Sequence, residues 1–137
     1  SWLYSEFGAN FVKTMLRLGQ EGRAVRVVAD QYGSPTYAPD LAKAVMTLVD
    51  EGFKGFNLYH FCNEGETNWW EFAEQIFDFA GLPIEVQAIT SEEYPTAAKR
   101  PPYSVLYTKR VREKGVAVAD WQDSLRVCLD ALGCLKN

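Results

Sequence analysis

The sequence predicts an α/β (mixed α+β) fold, with a small sheet and about four helices. Two observations carry this prediction. Segments with helical spacing of apolar residues alternate with short strand-like segments, and the connections between them are short and contain glycine, proline or asparagine. The chain has 137 residues, of which 47% are hydrophobic and 14% aromatic, so it is able to bury a core.

Four short segments have the composition or the alternation of strands. They cover residues 1–4, 24–29, 55–62 and 84–89, and each is bounded by residues that favour turns. From these four segments we expect a small sheet of about four strands. A sheet that binds a dinucleotide normally has more strands and a glycine fingerprint.

Amphipathic segments predict the helices, and their ends are marked by specific residues. Asn10, Thr67 and Asp120 are candidate N-caps, because their side-chain oxygens can accept a backbone N–H of the first turn. Pro39 fits the first turn of a helix that runs to about residue 51. Glycines follow three of these helices, as is typical of helix ends.

Composition excludes several classes of partner. The net charge is −4 and the basic residues are scattered, whereas a nucleic-acid-binding surface needs clustered positive charge. The apolar runs are far shorter than the roughly 18 residues of a membrane helix. We expect a cytoplasmic protein that binds neither nucleic acid nor a membrane. Because the chain does not begin with methionine, we also expect it to be a fragment.

Residue patterns for catalysis and metal binding are missing. No glycine-rich phosphate motif, HExxH, CxxC or nucleophile elbow occurs in the sequence. The three cysteines favour free thiols rather than a disulfide framework. The single histidine, His60, falls within a predicted strand, which favours a packed or hydrogen-bonded structural role over that of a base. We assign no catalytic residue and expect no metal site.

One loop, residues 30–36, has the composition of a ligand-binding segment. It follows a predicted strand directly and offers a carboxylate, an amide, hydroxyls and an aromatic ring. A turn whose Asp and Ser satisfy local backbone groups explains the same residues equally well. A second loop, residues 99–104, carries Arg100 beside two prolines. Its guanidinium suits a diphosphate, although a solvated surface arginine is the simpler interpretation.

The whole chain resembles the dTDP-4-dehydrorhamnose reductases of the extended short-chain dehydrogenase/reductase family. The D-Q-Y-G-S-P-T loop, together with the preceding V-A, is the most specific match, and a W-Q-D-S-L segment resembles the start of that family's last helix. Five segments match in the family's order: 1–4, 10–18, 28–36, 100–106 and 121–125.

The resemblance implies a function for a full-length parent protein. Such a protein would reduce dTDP-4-dehydro-L-rhamnose to dTDP-L-rhamnose, with hydride from NADPH or NADH, in bacterial surface polysaccharide biosynthesis. The family's catalytic Tyr-x-x-x-Lys motif and its glycine-rich cofactor turn lie upstream, and neither occurs in this sequence. We therefore expect this chain alone to be inactive and to bind no cofactor.

The same resemblance suggests substrate-binding residues. Trp2 matches the family tryptophan that packs beside the deoxysugar, with core packing as its alternative role. Arg100 is a candidate for the diphosphate, by analogy with related sugar-nucleotide epimerases, and Ser104 for its support. By side-chain type rather than by the resemblance, further polar candidates for the sugar, the nucleotide or the domain seam are Asn10, Asp30, Gln31 and Thr36. The helical tryptophans Trp69 and Trp70 are expected to lie in the core.

Besides a self-sufficient binding module for a nucleotide sugar, which stable monomeric folding with dTDP affinity would support, two other types of protein remain open. One is another extended short-chain sugar-nucleotide epimerase or reductase, although those families usually carry a different, arginine-containing loop in place of residues 30–36. The other is a non-catalytic relative, such as a regulatory subunit of methionine adenosyltransferase. A Tyr-x-x-x-Lys motif in an upstream half would favour the enzyme.

The resemblance also implies a division of the chain. Residues 1–23 correspond to the end of the cofactor-domain sheet and its following helix, and residues 24–137 to the substrate-binding domain, with the N-terminal cofactor domain absent. Without that domain, Trp2, Leu3 and Met15, together with Phe11, would expose an apolar face. We therefore expect a homo-oligomer, a partner chain or disorder near the N-terminus.

Overall fold

A computed structural model describes residues 1–52 and 55–136. The predicted mixture of helices and short strands is confirmed. The helices are α1 (Phe11–Gln20), α2 (Ala38–Asp50), α3 (Trp69–Ala80), α4 (Lys109–Arg112) and α5 (Trp121–Ala131), with a 3-10 turn at Ser91–Glu93. The strands are β1 (Leu3–Tyr4), β2 (Val25–Val28), β3 (Tyr32–Gly33), β4 (Thr36–Tyr37), β5 (Thr67–Asn68) and β6 (Val86–Ile89).

The strands form three separate pairs rather than the single four-stranded sheet expected. β1 pairs with β4 and β2 with β6, both in parallel, whereas β3 and β5 are antiparallel. The β2–β6 ladder is the longest, with Val25 opposite Val86 and Val28 opposite Ile89. Pairing partners come from distant parts of the chain, so local alternation did not predict them.

The strand predicted over residues 55–62 is wrong. This segment is not a strand, and Phe56 and Leu58 are exposed. The Leu58 carbonyl accepts a hydrogen bond of 2.6 Å from the Arg110 guanidinium. In a sheet, this carbonyl would instead accept from the backbone N–H of a neighbouring strand. His60 is exposed in the same segment, so it is not the packed residue expected.

Two of the three predicted N-caps are confirmed and one is corrected. The Asn10 side-chain oxygen Oδ1 accepts from the Lys13 N–H, and the Asp120 carboxylate accepts from the Gln122 N–H. The third helix is capped by Asn68 rather than Thr67. Thr67 pairs with Gly33 in the β3–β5 ladder, which delays the start of the helix by one residue.

The largest hydrophobic cluster, here called the main core, joins α1, α3 and α5 with β2. Phe72 lies at its centre, in a T-shaped contact with Trp121 at 5.6 Å and stacked on Phe11 at 5.5 Å between ring centroids. A second cluster, here called the small cluster, consists of four buried residues: Ala44, Phe61, Val111 and Val116. The two clusters lie under different helices, so α2 contributes little to the main core.

The first segment of the chain packs on the rest. β1 pairs with β4, α1 packs against α3, and Met15 is only 6% exposed in the main core. The expected exposed face of Trp2, Leu3, Phe11 and Met15 is therefore reduced to Leu3 and the half-buried aromatic rings, because α3 covers most of it. The division at residue 23 stays a prediction.

Part of the exposed apolar surface lies on α2. Val45, Met46 and Val49 are each about half exposed, at 49%, 57% and 59% of their surface. Within residues 1–52 and 55–136, no helix combines the length and apolarity that a membrane crossing requires.

Candidate functional site

A groove of about 990 Å³ lies between α1, β2 and three loops. Its apolar floor comes from α1 and β2, and its rim from the loops after β2, after the 3-10 turn and around Arg100. The lining residues are Ser1, Trp2, Phe11, Thr14, Met15, Leu18, Arg23, Ala24, Val25, Arg26, Val27, Val28, Gln31, Trp69, Tyr94, Thr96, Arg100, Pro101 and Ser104. This size and mixture suit a ligand with both apolar and polar parts.

Two tryptophans form one wall of the groove. The indoles of Trp2 and Trp69 stack with their centroids 3.8 Å apart and their planes 16° from parallel. Phe11 packs against Trp69 at 4.7 Å, which connects this wall to the main core. Such a wall offers flat apolar surface to a sugar or a base.

The groove carries positive charge although the chain is acidic overall. Arg23, Arg26 and Arg100 line it, and its lining contains no Asp or Glu. Arg23 lies 3.5 Å from Glu21 and Arg26 lies 3.0 Å from Glu93, both at the exposed edge. Arg100 forms no ion pair within residues 1–52 and 55–136, so its guanidinium is available to an anion.

The loop after β2 is held in place by Ser91. The Asp30 carboxylate accepts from the Ser91 N–H at 3.0 Å and from its hydroxyl at 2.7 Å. These hydrogen bonds lower the pKa of Asp30 below its usual value. The Gln31 amide donates to the Ser91 hydroxyl at 2.8 Å, so one serine orders both loop side chains.

The Arg100 loop is tied to the same segment through backbone groups. The Tyr32 N–H donates to the Pro102 carbonyl at 2.8 Å, and the Ser104 N–H donates back to the Tyr32 carbonyl at 2.9 Å. The Ser104 hydroxyl donates to that carbonyl as well, at 3.1 Å. These bonds bring together two loops that are about seventy residues apart in sequence, and they place Arg100 at the groove.

The groove gathers four of the seven predicted site residues. The four that line it are Trp2, Gln31, Arg100 and Ser104. Asn10 instead caps α1 and donates to the Ser5 carbonyl, and Asp30 is engaged with Ser91. Thr36 is 1% exposed in β4 and donates to the Ser34 carbonyl. The structure gives these three architectural contacts, and it does not bring them to the groove.

Several groove residues were not predicted from the sequence. Trp69 packs against the main core, as expected, but it also forms part of the groove wall. This second role was not predicted, since helical spacing does not show which side of the first turn of α3 faces a cavity. Arg23, Tyr94 and Thr96 belong to short connections without a motif, so only the folded chain identifies them.

The groove does not fit a dinucleotide cofactor by itself. Its lining contains no glycine-rich turn from a strand into a helix, which a dinucleotide pyrophosphate requires. The residues that the structure describes also include no group of three His, Cys, Asp or Glu side chains able to hold a metal ion.

Comparison with known proteins gives the family. A family model described as the RmlD substrate binding domain matches residues 1–134. The chain belongs to this family. It is 42% identical over 126 residues to a spore coat polysaccharide biosynthesis protein, SpsK, of Bacillus subtilis. It is 40% identical over 138 residues to a dTDP-4-dehydrorhamnose reductase of Aggregatibacter actinomycetemcomitans.

These matches cover most of this chain but less than half of each relative. They span 92% of this chain in both cases, and 44% and 47% of the two relatives. A solved dTDP-4-dehydrorhamnose reductase of Bacillus anthracis, in complex with NADP, superposes with a TM-score of 0.88 at 41% identity. That superposition covers 96% of this chain and 46% of the other.

Proposed function

We propose that this chain is the substrate-binding part of a dTDP-4-dehydrorhamnose reductase and that its groove binds a dTDP-sugar. The observation that carries the proposal is a groove that combines a tryptophan wall with three arginines and no lining carboxylate. A nucleoside diphosphate sugar has the matching chemistry, with flat or apolar rings at both ends and a doubly charged linker between them.

Each groove residue has a part in this proposal. The Arg100 guanidinium binds the diphosphate, because no carboxylate of residues 1–52 and 55–136 forms an ion pair with it and because it lies beside two prolines. Trp2 packs against the deoxysugar, whose methyl group favours an aromatic surface. Gln31 and Ser104 contribute polar contacts at the rim, each oriented by a hydrogen bond.

The reaction itself belongs to the proposed full-length protein. That protein would reduce the 4-keto group of dTDP-4-dehydro-L-rhamnose in the cytoplasm, and NADPH or NADH would supply the hydride. This chain's contribution is to hold the sugar nucleotide so that its carbonyl faces the cofactor-binding half. The chain alone is proposed to be inactive. The exposed apolar residues of α2 are consistent with a homo-oligomer or with contact to that half.

Calorimetric titration tests this proposal directly. We expect dTDP and dTDP-L-rhamnose to bind the 137-residue chain and NADPH to show no binding. Replacing Arg100 with alanine should weaken both dTDP ligands about tenfold, because a charge-assisted contact to the diphosphate is lost. Arg17→Ala is the matched control, since Arg17 is 60% exposed on α1 and lies outside the groove.

The outcomes separate the parts of the proposal. Equal affinity of Arg100→Ala and Arg17→Ala for dTDP would remove Arg100 from the diphosphate site. Binding of NADPH in preference to dTDP would contradict the assignment of the groove to the substrate.

A further inference from the structure

The backbone of Trp2 has an unusual conformation. Its φ angle is 53°, and it is the one non-glycine residue with a positive φ among those that the structure describes. A bulky side chain rarely adopts this region, so its surroundings must hold it there. The Trp2 carbonyl accepts a hydrogen bond of 3.1 Å from the Thr36 N–H, and the β1–β4 ladder begins at the next residue. The main chain at Trp2 is therefore fixed by strand pairing.

One side of the Trp2 indole is held by Trp69. The stacking distance of 3.8 Å and the angle of 16° leave no room for another group between the two rings. Trp69 itself is fixed, because it begins α3 directly after the Asn68 cap and packs against Phe11. The orientation of the Trp2 ring is thus connected to the end of a core helix.

Gly33 approaches the same ring closely. A Cβ atom at this position would lie 2.6 Å from Cε2 and 2.8 Å from Cζ2 of Trp2, and 2.9 Å from the Ser104 hydroxyl oxygen. Gly33 does not have a positive φ, so its backbone conformation does not demand glycine. The close approach of the indole is what excludes a side chain here.

We propose that Trp69 and Gly33 are positioning residues that hold the Trp2 indole in a single orientation for the sugar of the bound nucleotide. This inference rests on the proposed function, because it assigns the sugar contact to Trp2. A ring that is already fixed loses no rotational freedom when the ligand binds, so the sugar adds more to the affinity than it would beside a mobile ring.

The first test measures the geometry without any ligand. Two indoles stacked in this way give an exciton couplet in the circular dichroism spectrum. We expect the couplet to disappear in Trp2→Phe and Trp69→Phe and to decrease strongly in Gly33→Ala. Trp70→Phe is the control, because Trp70 is the neighbouring tryptophan on α3 but lies outside the groove lining and donates to the Val86 carbonyl. A full couplet in folded Gly33→Ala would overturn the role of Gly33.

The second test measures what the sugar adds to binding. The readout is the ratio of the affinities for dTDP-L-rhamnose and for dTDP. We expect this ratio to fall about three- to tenfold in Gly33→Ala and Trp69→Leu, because the loss falls more heavily on the sugar than on dTDP. Trp69→Phe should restore part of the ratio, since phenylalanine keeps an aromatic face against Trp2. An unchanged ratio, or an equal loss for both ligands, would overturn the proposal.

The two tests also separate this inference from the proposed function. If the wild-type chain binds neither ligand, the proposed function fails for this chain, whereas the couplet still decides whether Gly33 and Trp69 hold Trp2. Thermal unfolding confirms that each variant is folded before its spectrum is compared. If Gly33→Ala does not fold, the Trp69→Leu and Trp69→Phe pair still decides whether the Trp2 ring is held by its stacking partner.

Discussion

The main core and the small cluster are built from helices of similar apolar content, but these helices bury different numbers of residues. α3 contributes five buried residues to the main core: Phe72, Ala73, Ile76, Phe77 and Phe79. α2 buries Ala44 alone, although its sequence also carries leucine, valine and methionine residues at helical spacing. α3 faces α1, α5 and three strands, whereas α2 contacts β4 and the edge of the small cluster.

This difference shows what an apolar pattern means in a folded chain. The pattern identifies the side of a helix that can be buried, and the elements opposite decide whether it is buried. Val45 lies at helical spacing from Leu41 and Leu48, yet it is 49% exposed because no element of the described chain covers it. The following predictions test the contrast between the two clusters, from the largest expected effect to the smallest.

Phe72→Ala should produce the largest loss of stability. The ring is 1% exposed and contacts other aromatic rings from α1, α3, α5 and β1, so its removal leaves a cavity that rigid helices cannot close. We expect the free energy of unfolding to fall by about 3–5 kcal/mol. Urea denaturation measures this change, and a loss below about 1 kcal/mol would mean that Phe72 is not central to the main core.

A matched pair of valine substitutions compares the two clusters directly. Val12 in the main core is 0% exposed and Val111 in the small cluster is 1% exposed, so the same atoms are removed from equally buried positions. We expect Val12→Ala to cost about 2 kcal/mol and Val111→Ala about 1 kcal/mol, because the open border of the small cluster can relax. Equal costs in urea denaturation would show that the two clusters are equally rigid.

Thiol labelling should show which cluster opens more readily, and it removes no atoms from either cluster. Burial raises the pKa of the Cys128 thiol to about 12, and this residue is 0% exposed in the main core. Cys62 is also buried, beside Phe61 of the small cluster. We expect Cys62 to react faster than Cys128 under native conditions, since the small cluster opens at a lower free energy.

The half-buried thiol of Cys134 serves as the internal reference for this labelling. Mass spectrometry of labelled peptides gives the order of reaction. The expected order is Cys134, then Cys62, then Cys128. Labelling of Cys128 before Cys62 would contradict the lower stability of the small cluster.

Asp30 should produce the smallest effect, a pH dependence confined to the groove loop. Its pKa is lowered in the folded chain by the hydrogen bonds from Ser91, so its stabilising effect is present above the unfolded pKa of about 3.9 and is lost as the pH falls through the folded value. Hydrogen-exchange protection of the Ser91 N–H should therefore fall in acid. In Asp30→Ala, this protection should be low at every pH, and pH-independent protection in the wild-type chain would contradict the contact.

Part of the candidate site was predicted from the sequence. The loops around Gln31 and Arg100 were identified from their composition and from the family resemblance, and both border the groove. Asn10, Asp30 and Thr36 were chosen by side-chain type, and side-chain type does not distinguish a ligand contact from a helix cap or a loop hydrogen bond. Trp69 was missed because its role depends on Trp2, which is 67 positions away in the chain.

The sequence by itself determined the helices and several of their ends, because helical periodicity, the caps at Asn10 and Asp120 and the stop at Gly81 act within a few residues. Only the tertiary structure decided the strand pairs, the exposed face of α2 and the groove. Each of these depends on which distant segments meet, as when Gly33 makes room for Trp2 against Trp69. Local conformational preferences do not determine these long-range contacts, because the contacts are stabilised by packing between distant segments of the chain.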